Sequence, residues 1–190
     1  MLRPEDIQHL RLDRDRYREY SGRAPRYIRS RLNQQLAAIG DSVVSALLKI
    51  SPEKFGAQLD HARQYGASWL GSTLDGRLMA VSATTSMIGD NDIIKKNVIL
   101  PEHRWLPDDR LASNFLIGIF IPRQALSPDG PAENVSLAGW LDLNDPTLKI
   151  CSTTPNTFRS NLRVSMVRCQ NLNPMNELAG LLDGLVEARR

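Results

Sequence analysis

Apolar residues recur at helical spacing through the first third of the chain. Leu32, Leu36, Ile39, Val43 and Leu47 step by four, three, four and four. That stripe, widened by Ala37, Val44 and Leu48, predicts a long helix over 26–49, which Ser51-Pro52 ends. Before it, residues 4–19 are patterned as a helix, and Ser21-Gly22-Arg23-Ala24-Pro25 breaks them off. After it, 53–65 forms a second, shorter helical pattern stopped by Gly66.

The texture then changes to short apolar runs. Residues 67–72 and 77–85 flank Leu74-Asp75-Gly76, and an Asp-Gly between two such runs predicts a β-hairpin. Further strands are predicted at 98–100, at 114–121, at 135–141 behind the loop Ser127-Pro128-Asp129-Gly130-Pro131, and at 162–169. Asn173 as N-cap and Pro174 as first residue open a closing helix whose buried face is Met175, Leu178, Leu182 and Leu185. Helices at the ends and hairpin-joined strands between them predict an α/β (α+β) three-layer domain. It has a mixed central β-sheet, N-terminal helices and a C-terminal helix. Residues 1–25 are expected to be an arginine-rich helical arm and 26–190 a single domain.

At 190 residues one domain can bury a sizeable core. No apolar run reaches the ~18 residues of a membrane span, and the charged start MLRPEDIQHLRLDRDR has no signal-peptide core. The expectation is a cytoplasmic protein with no membrane association, its Cys151 and Cys169 reduced. Charge is uneven. Residues 1–31 hold nine arginines against five acids, an excess of +4, so the rest of this +3 chain carries −1. Arginine binds phosphate bidentately and stacks on bases. Arg14, Arg16, Arg18, Arg23, Arg26, Arg29 and Arg31, interleaved with Tyr17, Tyr20 and Tyr27, are therefore candidates for nucleic-acid contact, with Lys95 and Lys96 further on. The alternation of sign in DRDRYRE equally suits a solvated helix laced with ion pairs, or an arm docked on a partner.

His9, His61 and His103 are isolated, with no metal-ligand spacing, and the chain has no phosphate-binding loop, dinucleotide turn or nucleophile elbow. His103 and Trp105 belong to an exposed polar stretch.

The order of elements resembles the restriction-endonuclease-like, PD-(D/E)XK, nuclease superfamily over a little over half of the chain. The stretches that carry the resemblance are the helix QQLAAIGDSVVSALL with Gly40-Asp41, the hairpin SWLGSTLDGRLMAVSATT, the strands VIL and NFLIGIFIP, and VSLAGWLDL with Gly139-Trp140. The resemblance implies Mg²⁺ held by carboxylates and a lysine beside the attacking water. Its acid and lysine stand two apart on one strand, on one face. The corresponding strand here has Ala80 and Ser82, neither of which can do that work.

The stretch IGDNDIIKKN could substitute, giving Asp41, Asp92 and Lys95 as catalytic candidates and Asp41, Asp75, Asp90 and Asp92 as metal ligands. Turn residues Gly89, Asp90 and Asn91 favour a plain polar loop, and Asp75 fits its Asp-Gly turn as it stands. The leading expectation is a catalytically degenerate nuclease-like domain with no cofactor. It would act as a nucleic-acid-binding or accessory subunit of a bacterial defence or mobile-element complex, with a protein partner or a second copy. The alternatives are an active Mg²⁺-dependent endonuclease with rearranged residues, and a structural subunit that binds a protein.

Overall fold

In a computed structural model of the chain, residues 1–23, 30–73, 75–89, 92–101, 110–123, 126, 134–156 and 159–187 are described. Strand β1 (Gln8–Arg11) leads to helix α1 (Arg14–Ser21), followed by α2 (Arg31–Leu47) and α3 (Pro52–Arg63). Next come β2 (Trp69–Ser72), β3 (Leu78–Ile88), β4 (Asn97–Pro101), β5 (Leu111–Pro122) and β6 (Asn134–Asp142). Strands β7 (Ser152–Asn156) and β8 (Arg159–Arg168) and helix α4 (Met175–Glu187) complete it. A five-stranded sheet runs β1-β6-β5-β3-β2 and a three-stranded one β4-β8-β7. All pairings are antiparallel except β3 with β5, which makes the larger sheet mixed.

The apolar run of β5 explains its central place. A strand buried on both faces shows continuous rather than alternating hydrophobicity. Phe115, Ile117, Ile119 and Ile121 enter one core with Ile39, Val43, Val44 and Leu48 of the α2 end. Leu116 and Phe120 enter the other with Val98, Leu100 and Val167 of the second sheet. Helices thus cover one face of the large sheet and the small sheet covers the other. That is the expected three-layer α+β architecture, with the second sheet as an unforeseen layer.

Two glycines set the spacing of the layers. A Cβ on Gly40 of α2 would lie 3.2 Å from the Ala83 side chain of β3. One on Gly118 of β5 would lie 2.8 Å from Val98 Cγ2. From Ala38 to Ser45 every residue of α2 is buried, because α2 lies between β3 and α1. The helices start at side-chain caps, Asp13 for α1, Ser30 for α2 and Ser51 for α3, with Pro52 as the first residue of α3. The stripe expected from Leu32 begins a turn later, since Leu32 is exposed.

Three expectations are corrected. Residues 4–19 are not one helix: Pro4–Asp6 is a 3-10 turn, Gln8–Arg11 is a strand, and Asp13 then caps α1. The open edge of β6 supplies backbone partners for Gln8 to Arg11, and such tertiary pairing outweighs weak helix propensity. The described part of the expected arm, residues 1–23, is built into the domain, because β1 belongs to the sheet and Tyr17 and Tyr20 of α1 are buried in the main core. The strand at 98–100 is β4 of the small sheet and not part of the central one; it forms the crossover between parallel β3 and β5. The small-sheet strand β7 was not anticipated.

Gly139-Trp140 has a structural role. Gly139 has φ +140° beside a bulge between β5 and β6, and a Cβ there would meet Asn173 O at 2.6 Å. The Trp140 N–H donates to Asn173 O at 3.0 Å, the Asn173 N–H to Trp140 O at 2.8 Å, and the indole to Pro174 O at 3.0 Å. These bonds tether the chain as it enters α4, whose Met175, Leu178 and Leu182 are buried in the main core. The side chain of Leu185 lies outside the description. Among the described residues no helix is long and apolar enough to cross a membrane.

Candidate functional site

The carboxylates singled out in the sequence are held at separate places. Asp41, buried on α2, accepts from Arg63 Nη2 of α3 at 3.2 Å; its neighbour Gly40 packs on Ala83 and Thr85 near the middle of β3. Asp75 is in the exposed hairpin turn before β3, where the Thr73 hydroxyl donates to it. That hydrogen bond is the largest of the influences holding its carboxyl below the usual range. Asp92 follows the far end of β3. At about 3.3 Å per residue the eleven-residue strand β3 spans about 33 Å, and Asp75 and Asp92 lie beyond its opposite ends. These two cannot share an ion. Asp90 lies outside the described residues. Among those described, no group of three or more His, Cys, Asp or Glu side chains could hold a metal ion.

The IGDNDIIKKN stretch folds as a 3-10 turn, Ile93–Lys95, ahead of β4. Lys95 Nζ lies 2.6 Å from Asp92 Oδ2, so this acid and this lysine neutralise each other on the surface. Ile93 between them is buried in the core under the second sheet, and Lys96 O accepts from the Cys169 N–H at 3.0 Å. The turn is anchored as a loop would be. On β3, Ala80 and Ser82 are fully buried, and the Ser82 hydroxyl donates to Phe115 O at 3.3 Å. The face that the resemblance would give to an acid and a lysine is therefore packed interior.

The basic residues divide into two sets. Arg16 donates from Nη1 to Ser45 Oγ and to Ile50 O (2.5 Å) and also pairs with Asp13 at 3.5 Å. Arg23 pairs with Glu19 at 2.9 Å and donates to Gly56 O at 3.2 Å. Both staple helices together. Arg14, Arg18 and Arg31 are exposed. Arg14 and Arg18 are four apart on α1 and so share a face. Tyr17, between them in sequence, has its ionisation pushed up first by burial, with the nearby Arg31 guanidinium acting in the opposite direction. The Arg18 guanidinium has Asp15 at 3.7 Å, with both side chains largely exposed, a weak tie. Arg26 and Arg29 lie outside the described residues, as do His103 and Trp105.

Two cavities border these elements. One, of about 360 Å³, is lined by Asp142 and Asp145 among others. Their carboxylates are engaged in turn bonds: Asp142 Oδ1 accepts from the Asn114 and Asn144 N–H groups, and Asp145 Oδ1 from Thr147. The other, of about 330 Å³, lies where β3 and β5 end and β1 and β6 begin, with Asp92, Ile93 and Ile94 of the 3-10 turn as one wall. Its polar lining includes His9 and Ser136, 3.2 Å apart. Reading the sequence alone missed both residues as a site. His9 looked isolated because no His or Cys stands at metal-ligand spacing from it. Once β1 is a strand, His9 stands opposite Ser136.

Comparison of the chain with protein-family models, with curated proteins and with solved structures gave no match in any of the three.

Proposed function

We infer that this protein is a nucleic-acid-binding subunit of nuclease-like build that grips the phosphate backbone and does not cut it. The observation that carries this reading is the division among the arginines. Arg16 and Arg23 are each bonded to a backbone carbonyl of a distant part of the chain, Ile50 O and Gly56 O, while Arg14, Arg18 and Arg31 are presented to solvent. Exposed guanidiniums bind phosphate oxygens in a fork geometry that lysine lacks. The non-hydrolytic part of the reading is supported by the buried Ala80 and Ser82 on β3, by the Asp41–Arg63 pair and by the Asp92–Lys95 pair. A carboxylate neutralised by its own cation is a poorer ligand for Mg²⁺ than one left for the metal. The home of such a subunit in a bacterial defence or mobile-element complex is carried by the resemblance alone.

The test is binding and cleavage in one tube. Labelled single- and double-stranded DNA and RNA are titrated with purified protein in Mg²⁺ or in EDTA, read by anisotropy and then on a denaturing gel. Binding that weakens steeply with salt, with intact nucleic acid in both buffers, supports the reading. Mg²⁺-dependent fragments that vanish in Asp92→Ala or Asp41→Ala would replace it with the rearranged nuclease. No binding at all would move the search to a protein partner.

A further inference from the structure

The face of the large sheet opposite the helices is largely apolar where the small sheet covers it: Leu116, Phe120, Ala138 and Leu141 are buried in that second core. Beyond the cover its chemistry changes. Strands β1 and β6 pair His9 with Ser136 and Arg11 with Asn134, while Leu10 and Val135 between them belong to the helical core. By the alternation of a strand, His9, Arg11, Asn134 and Ser136 therefore form a two-by-two polar array on the opposite face.

The 330 Å³ cavity opens beside this array, and His9, Asn134 and Ser136 line it. Ile7, Ile93 and Ile94 supply apolar walls. Its volume is at the small end of ligand pockets, which run from about 300 to 1,000 Å³. Its lining combines apolar walls with a few polar groups, as ligand pockets do.

The polar groups define the ligand. The Asn134 amide both donates and accepts, the Ser136 hydroxyl does either, and His9, bonded to Ser136 through Nδ1, retains Nε2 for a further bond. That mixed set suits the edge of a heterocyclic base better than a purely anionic group. Arg11, on the same face, is exposed and pairs with Asn134 of the cavity lining.

We propose that this cavity receives one unpaired nucleobase of a single-stranded nucleic acid, with His9, Asn134 and Ser136 reading its edge and Arg11 holding its phosphate. The proposal rests on the phosphate-binding reading above and narrows it to single strands, because a paired base cannot enter a cavity. In this view IGDNDIIKKN contributes walls, through Ile93 and Ile94, and no metal site.

The experiment compares the full-length protein's affinity for a labelled single-stranded DNA and for the same backbone made fully abasic, with duplex as a third probe. His9→Ala, Ser136→Ala and Arg18→Ala are measured alongside, each first checked by thermal melting. The wild type is expected to prefer the base-bearing strand about tenfold, the worth of one or two net hydrogen bonds. His9→Ala and Ser136→Ala should bring that ratio close to one while leaving abasic affinity unchanged. Arg18→Ala should weaken both strands and keep the ratio. Equal wild-type affinity for base-bearing and abasic strands overturns the base pocket and leaves the phosphate reading standing. Duplex bound as well as single strand also overturns it. Binding to none of the probes defeats both readings.

Discussion

On the helical side of the large sheet, the charges that reach the interior are tied to other elements: Asp41 to Arg63, and Arg16 to Ser45 and Ile50. On the other side, the second core is built of apolar side chains, and His9, Arg11, Asn134 and Ser136 gather beyond it beside a cavity. The contrast separates two uses of polarity in one chain. Charged groups under α1 and α3 fix the packing of helices, since a desolvated ion pair is held in one geometry by its own bonds. The array at the start of β1 and β6 lies against a cavity instead, where it can address something from outside.

The largest effect should come from testing whether the two faces are independent. Leu116 and Ile117 are neighbours on β5, fully buried, and belong to different cores. Leu116→Ala and Ile117→Ala should each cost about 2–5 kcal/mol in chemical denaturation. The double variant should be additive within about 0.5 kcal/mol, provided that it still folds. A strong deviation would mean that the sheet does not insulate one core from the other. Next in size, Asp41→Ala leaves Arg63 without its buried partner and should cost about 2–3 kcal/mol, short of the 3–5 kcal/mol of a fully buried pair. Arg63→Met in that background should recover part of the loss. A loss under about 0.5 kcal/mol would show that the pair is no staple.

The second core also predicts a pH dependence. Burial pushes the Cys169 thiol up to about 12, against about 8.5 in an unfolded chain. Above about 8.5 the unfolded chain releases this proton while the folded one keeps it. The stability is whole below that value and falls with rising pH up to about 12, by at most about 1.4 kcal/mol per pH unit. Tyr17 and Tyr20, raised first by burial, push in the same direction at higher pH. Denaturant midpoints of wild type and Cys169→Ala between pH 8 and 10 should converge as pH rises. Parallel curves would contradict the assignment. The smallest effect belongs to the surface pair: Lys95→Ala should change stability by less than about 1 kcal/mol.

Much of the fold was legible in the sequence, and the reasons are local. The stripe on α2, the Asp-Gly hairpin, the doubly apolar β5 and the start of α4 each state their structure within a dozen residues. What was not legible depends on distant partners. QHLR carries no strong period of its own and becomes a strand because β6 has an open edge. VIL reads as a strand in isolation, but nothing local says that it belongs to another sheet. The candidate site followed the same rule. Asp41 stood out beside Gly40 and Asp92 within a cluster of acids and lysines, and only the structure supplies Arg63 for one and the orientation of Lys95 for the other. His9 and Ser136 are 127 residues apart, so no spacing rule could have joined them.

The central claim is that the exposed arginines of α1 and α2 hold phosphates. Its most direct test is the salt dependence of single-strand affinity for the wild type and for an Arg14→Ala, Arg18→Ala, Arg31→Ala triple variant. Each phosphate contact on a single strand contributes about 0.7 to the log–log slope. The account predicts that the triple variant binds more weakly and that its slope is shallower by about 2. An unchanged slope, or a wild type that does not bind at low salt, would contradict it.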